Sequence, residues 1–177
     1  VSAPLKGALV TFLPDSSLPS VITFQLNPET ITHAVTASAG LPVETFFFSL
    51  TMDASQAVAP PSGFVQSQLT ALQALLFPAN LQPAPAVVFA WGSQRVPVRV
   101  TGLTITEKLF DSQLNPTSAE AEVTLVALTP SELAVLPAPM RRLANAAYEA
   151  LGQARVQALL NAQTLTDPSQ SSGGNIL

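Results

Sequence analysis

Proline occupies 16 of the 177 positions and is spread along most of the chain. It fixes φ at about −65° and removes a backbone donor, so it suits turns, strand edges and the first turn of a helix. Scattered in this way it cuts the chain into short elements. Between the cuts most segments alternate apolar and polar residues, the period of a strand.

Strands are expected over residues 6–13, ended by Pro14-Asp15-Ser16-Ser17, and 21–26, ended by the turn dipeptide Asn27-Pro28. A third is expected over 31–37, with Ile31, His33 and Val35 on one face, and a break follows at 40–42. Over 44–52, Phe46, Phe48, Leu50 and Met52 share one face, and Thr45, Phe47, Ser49 and Thr51 the other. Phe47 is then an aromatic on a polar face and a candidate contact with a neighbouring subunit. A helix is expected over 64–77 from the stripe Val65, Leu69, Leu72, Leu76, with Ser62 as N-cap and a Pro-rich loop over 79–86 after it.

Three strands follow, over 87–91, 95–101 and 103–110. Gly92-Ser93-Gln94 makes a tight hairpin, and Gly102 marks a bulge or bend. Residues 111–118 read as a longer turn. The last strand, 119–128, points Ala121, Val123 and Leu125 inward and Glu120, Glu122 and Thr124 outward. From about Ala138 the chain is rich in helix formers, with a stripe of Met140, Leu143, Ala147 and Leu151. The expected class is mainly β (α+β): a small antiparallel barrel or sandwich over 1–130 with one flanking helix. A helical extension over 131–166 and a flexible tail over 167–177 complete it.

Charged residues are 10% of the chain and hydrophobic ones 47%, whereas about a quarter of an ordinary chain is charged. Such a surface is either Ser, Thr, Gln and Asn or buried against partners, and a strong share of the second is expected. With a net charge of −4 and no basic run, nucleic-acid binding through phosphate neutralisation is not expected. No apolar run reaches the ~18 residues of a membrane span, and residues 1–4 do not have the pattern of a secretory signal. The absence of cysteine excludes disulfides and thiolate chemistry.

The candidate chemistry is sparse. His33, the one histidine, has no acid at metal-ligand spacing and reads as a strand residue at a surface or interface. Glu120 and Glu122 share a strand face and could imitate a catalytic pair, joined across the hairpin by Glu107 and Asp111. A charged face that prevents wrong pairing, with cross-strand ion pairs to Arg95 and Arg99, accounts for the same residues. Trp91 could stack on a sugar, as in a carbohydrate-binding sandwich, but packs more naturally in a core. No Gly-x-Ser-x-Gly elbow is present and Gly173-Gly174 is not a phosphate loop. No catalytic, cofactor-binding or metal-ligating residue is assigned.

The tract Phe24-Gln25-Leu26-Asn27-Pro28-Glu29 is similar to the F-x-[FL]-N-P-E turn of the tube-type domain of contractile injection systems, which are phage-tail-like particles. A helix follows, then Val88-Phe89-Ala90-Trp91-Gly92, like that family's apolar strand ending in Trp-Gly. Residues 100–116 resemble its V-x-x-L-x-I-x-x-x-x-F-D-x-x-x-x-P hairpin, and 119–128 its A-x-A-x-V-x-L closing strand. The resemblance covers about residues 6–129. Within the family it points to the baseplate tube adaptors, which often carry a LysM domain; no LysM pattern is evident here. It implies a β-barrel of the tail-tube type in a hexameric ring, joining the spike or hub protein and other baseplate components to the inner tube. The alternative is the inner tube subunit itself. Assembly in the bacterial cytoplasm, with the particle retained or released, is implied as well. Expected contact residues are Phe47, Glu29, Thr30, Asp111, Asn115, Met140 and Leu143. Thr104, Thr106, Glu120, Glu122 and Thr124 are the expected channel-lining set.

Overall fold

In the computed structural model, which describes residues 5–12, 18–76 and 85–166, the strands are β1 (Ala8–Phe12), β2 (Pro19–Thr23), β3 (Ile31–Ser38), β4 (Leu41–Asp53), β5 (Ala86–Trp91), β6 (Gln94–Phe110) and β7 (Pro116–Ala127). The helices are α1 (Phe64–Ala74), α2 (Pro130–Ala134) and α3 (Ala138–Thr166). The expected stop at Pro14–Ser17, most of the Pro-rich loop and the tail over 167–177 lie outside the described residues. The strands form one antiparallel sheet in the order β2-β1-β5-β6-β7-β4-β3. The protein is thus mainly β with added helices, and its sheet is not closed into a barrel.

Several boundaries differ from the sequence reading for local reasons. The break expected at 40–42 is only a two-residue turn: Ala39 and Gly40 both have positive φ (50° and 79°), so β4 begins at Leu41. The two strands expected over 95–110 are one. An extra residue between Val100 and Gly102 bulges out, pairing with β7 continues, and the inward set shifts from Val96, Val98, Val100 to Leu103 and Ile105. Pro116 opens β7 instead of sitting in the turn, a place where its missing donor costs nothing. Helix α1 is capped by Gly63 in a left-handed conformation, with no side-chain hydrogen bond; Ser62 is not its cap. A separate helix α2 was not foreseen within the helical extension expected over 131–166. Thr129 and Glu132 form a reciprocal capping box there, with Pro130 in the first turn.

The sheet is strongly curled. In a flat sheet at about 4.8 Å per strand, β2 and β4 would be roughly 24 Å apart. Yet the ring of Phe24, just after β2, lies 5.6 Å from that of Phe48 on β4. Phe89 on β5 stands between them, 5.3 Å from Phe48 and 6.5 Å from Phe24. Around these rings pack Leu9, Phe46, Leu50, Met52, Val87, Val96, Val98, Val123 and Leu125, all buried. Helix α1 covers the open side. Its Val65, Leu69 and Leu72 enter the same core, and it touches β2, β4 and β7.

A second cluster lies on the outer face of the β1–β5–β6 half. There α2 and α3 bury Leu133, Met140, Ala144 and Ala147 against Ala86, Val88 and Leu128. Among the described residues no helix packs on the outer face of the β7–β4–β3 half. Gly7 is the most closely packed of the described glycines, because a Cβ there would fall 2.6 Å from Phe24 and 2.7 Å from Trp91. We expect Gly7→Ala to destabilise the protein by about 1–3 kcal/mol through overpacking, read as a lower urea midpoint with an unchanged m-value.

Candidate interaction surface

The tract Phe24 to Thr30 carries the chain from β2, at one margin of the sheet, to β3, at the other. Its two carboxamides act as short pieces of strand. Gln25 accepts the Asp53 N–H at 2.8 Å through Oε1 and donates Nε2 to the Asp53 carbonyl at 2.6 Å. Asn27 accepts the Gly7 N–H at 2.9 Å and donates to the Leu5 carbonyl at 2.8 Å. Lys6 donates to the Gln25 carbonyl, and the Phe24 N–H donates to the Gly7 carbonyl at 2.9 Å. The residues after Phe48 need this, because β3 pairs with β4 only up to Ile31↔Phe48. Glu29 and Thr30 are exposed at the end of the tract.

Besides the outer edge of β2, which pairs only with β1, two strand edges remain open among the described residues. One is the outer edge of β3. The other is the second half of β6, since β5 accompanies β6 only from Gln94 to Arg99. Both belong to hairpin arms with exposed apolar side chains: Val35 and Leu41 on one, Leu109, Phe110 and Leu114 on the other. None of these residues was among the expected contacts. The signal that could have found Leu109 and Leu114 is their position at a turn, where polar residues are usual.

Phe47 is exposed on the outer face of β4, between Thr124 of β7 and Thr32 of β3, and no second sheet of the described residues covers it. Thr104, Thr106, Glu120, Glu122 and Thr124 share that face in register: Thr104↔Glu122 and Thr106↔Glu120. Asp111 and Asn115 form the loop of the β6–β7 arm. One Asp111 oxygen accepts the Gln113 and Asn115 N–H groups at 2.8 and 2.9 Å, and the other accepts the Asn115 side chain at 3.2 Å. The Asn115 amides, with the Gln113 N–H, hold the Asp111 carboxyl below its usual range. Met140 is buried within the chain, and Leu143 is partly buried beside it. The seven expected contact residues therefore lie at four separate places and form no single patch.

The acidic residues are paired differently from the expectation. Glu120 accepts from Lys108 at 2.6 Å and Ser49 at 2.9 Å. Arg99 pairs with Glu132 of α2 at 2.6 Å, and Arg95 donates to the Gly92 and Gln94 carbonyls. The reason is the bulge, after which β6 presents Lys108, not an arginine, on the face of Glu120. Glu107 stands opposite Ala119, on the other face, and does not join a cluster with Glu120. The Lys108 and Ser49 hydrogen bonds hold the Glu120 carboxyl below its ordinary value, the reverse of what a general acid needs. One acid does reach His33: Glu44, whose Oε2 is 3.1 Å from Nε2 and which also pairs with Arg155 of α3 at 2.6 Å. His33 stacks on Phe46 at 4.5 Å. No group of three possible metal ligands occurs among the described residues. Trp91 is partly buried and stacks on Phe89 at 6.5 Å, a packing role. Among the described residues no helix is long and apolar enough to cross a membrane.

Removing the Gln25 clamp leaves the Asp53 peptide without its partner. Gln25→Ala is expected to cost about 1–3 kcal/mol in chemical denaturation. Gln25→Glu should not rescue it, because a carboxylate can accept the N–H but repels the carbonyl. For Glu120, whose ordinary pKa of 4.5 is lowered in the fold, the stabilisation is present above the unfolded pKa and lost as pH falls through the folded one. Lys108→Met should raise the Glu120 midpoint in carboxyl NMR titration and flatten the acid dependence of stability below pH 4.5.

Neither a scan against protein-family models nor a search of curated proteins gives a match to this chain.

Proposed function

We propose that this chain is a structural ring subunit of a contractile injection system, an adaptor between the spike or hub and the inner tube. The observation that carries the reading is the edge of β3. It runs eight residues, from Ile31 to Ser38, nearly all exposed, and on the side away from β4 no strand of the described residues lies beside it. Exposed edges are normally protected by lysine, proline or a bulge. β3 has none of these, and His33 is its one ionisable residue. The free half of β6 offers a second edge on another strand of the same sheet. An edge of one protomer meeting a different edge of the next is a heterologous contact, and repetition closes a ring when the rotation allows.

The ordered motifs support the same reading. The Asn-Pro-Glu tract joins the sheet margins, and the Trp-Gly strand and long hairpin follow it in the order of the tube-type domain. The hydroxyl-rich outer face with Glu120 and Glu122 suits a water-filled channel. Helix α3 adds a surface that stacking of identical rings does not require, which favours the adaptor over the inner tube subunit.

Native mass spectrometry and electron microscopy of the concentrated chain are expected to show closed hexameric rings. Val35→Lys combined with Ala37→Lys, both at exposed positions, should leave the circular dichroism unchanged and shift the mass to that of a monomer. A wild-type chain that stays monomeric at every concentration, or forms only two-fold dimers, would sink the proposal.

A further inference from the structure

The tip of the β6–β7 arm is apolar where solvent would favour polar residues. Leu109, Phe110 and Leu114 are 72%, 52% and 81% exposed. Leu109 and Leu114 also hold positive φ, 37° and 62°, a conformation that is strained for a non-glycine residue. The Asp111 hydrogen bonds to Gln113 and Asn115 keep the loop in that shape. The chain therefore presents two leucines outward and fixes them there.

Elsewhere on the same chain, α3, the β3–β4 hairpin and the β5–β6 turn enclose a cleft of about 360 Å³. Its walls include Phe46, Leu151 and the methyl groups of Ala150, Ala154 and Ala158. An engineered apolar cavity of about 150 Å³ accepts benzene, so this one has room for two large side chains. The rim carries His33, Arg95 and Arg155 against the single carboxylate of Glu44, which both His33 and Arg155 share. Arg95 meets main-chain carbonyls and, among the described residues, no carboxylate. The tip has the opposite balance. It carries Glu107 and Asp111, and its one ammonium, Lys108, already pairs with Glu120.

We propose that the hairpin tip of one copy seats in this cleft of a second copy, with Leu114 and its apolar neighbours against the α3 alanines and Glu107 and Asp111 toward Arg95. The exposure of the tip shows that it does not fill the cleft of its own chain. Knob and hole lie on different surfaces, so the contact is head to tail and suits a ring. This rests on the ring reading and specifies a contact that strand pairing alone does not provide.

The chain has no cysteine, so an engineered pair reports without background. Leu114→Cys with Ala154→Cys in the full chain, under mild oxidation, should give interchain disulfide ladders about tenfold faster than Leu114→Cys with Gln157→Cys, because docking raises the local thiol concentration. Gln157 lies at a separate hollow on α3, with Tyr148 and Val156. Leu114→Asp, which keeps a residue tolerant of positive φ at an exposed site, should weaken association about tenfold or more. Rings that form while Ala154 cross-links no faster than Gln157, or whose affinity ignores Leu114→Asp, overturn the docking and leave the ring reading intact. A chain with no oligomer removes both.

Discussion

A sheet curled until its margins approach must satisfy the backbone groups along the seam, and in this chain side-chain amides do much of that. The Gln25 carboxamide pairs with the peptide of Asp53, and that of Asn27 with Leu5 and Gly7. An amide side chain carries the same donor and acceptor as a peptide, so it can continue a ladder for one step without requiring a further strand. Phe24 leaves the same tract to join Phe48 and Phe89 in the core. The polar seam and the apolar centre are therefore fixed by neighbouring residues. The near contact of Gly7 with Phe24 and Trp91 depends on the same closure.

The approach of the margins leaves the two hairpin arms outside the curled body of the sheet. β3 and the first part of β4 extend past the point where β7 accompanies them, and the end of β6 extends past β5. Their open edges cannot be satisfied by the described remainder of the chain. Helix α3 divides the outer surface further. It covers the β1–β5–β6 half with its own apolar face and leaves the β7–β4–β3 half with hydroxyls, carboxylates, Lys108 and the exposed Phe47. The ion pair of Glu44 and Arg155 then ties the helix to the β3–β4 arm across the cleft, well beyond the buried Met140–Ala147 segment. An apolar-rich chain with little charge is thus left with its unpaired backbone and exposed side chains concentrated on projecting parts.

Much of the fold was legible because alternation is a local property. Phe46, Phe48, Leu50 and Met52 are all buried, as their spacing requires, and Ala121, Val123 and Leu125 likewise. Gly102 was legible as a bulge, but its consequence was not: whether two runs separated by a glycine are one strand or two depends on a partner long enough to span both, here β7. Helix α2 was legible and passed over, since Thr129-Pro130-Ser131-Glu132 has the spacing of a capping box. The ion pairs were not legible. Glu120 finds Lys108 because of a one-residue register shift, and Arg99 finds Glu132 because α2 folds back over the sheet.

The sequence by itself determined the class of structure: short alternating strands, one early helix, a long final helix, and no histidine or cysteine set for metal or thiol chemistry. Period, breakers and composition act over a few residues and need no knowledge of neighbours. Tertiary structure alone decided which margins meet, which edges stay open, and which apolar residues end in a core or at a tip. Met140 and Leu114 are both apolar and both near a turn, yet one is 4% exposed and the other 81%. The difference comes from what lies opposite each in space, a long-range fact that no local pattern encodes.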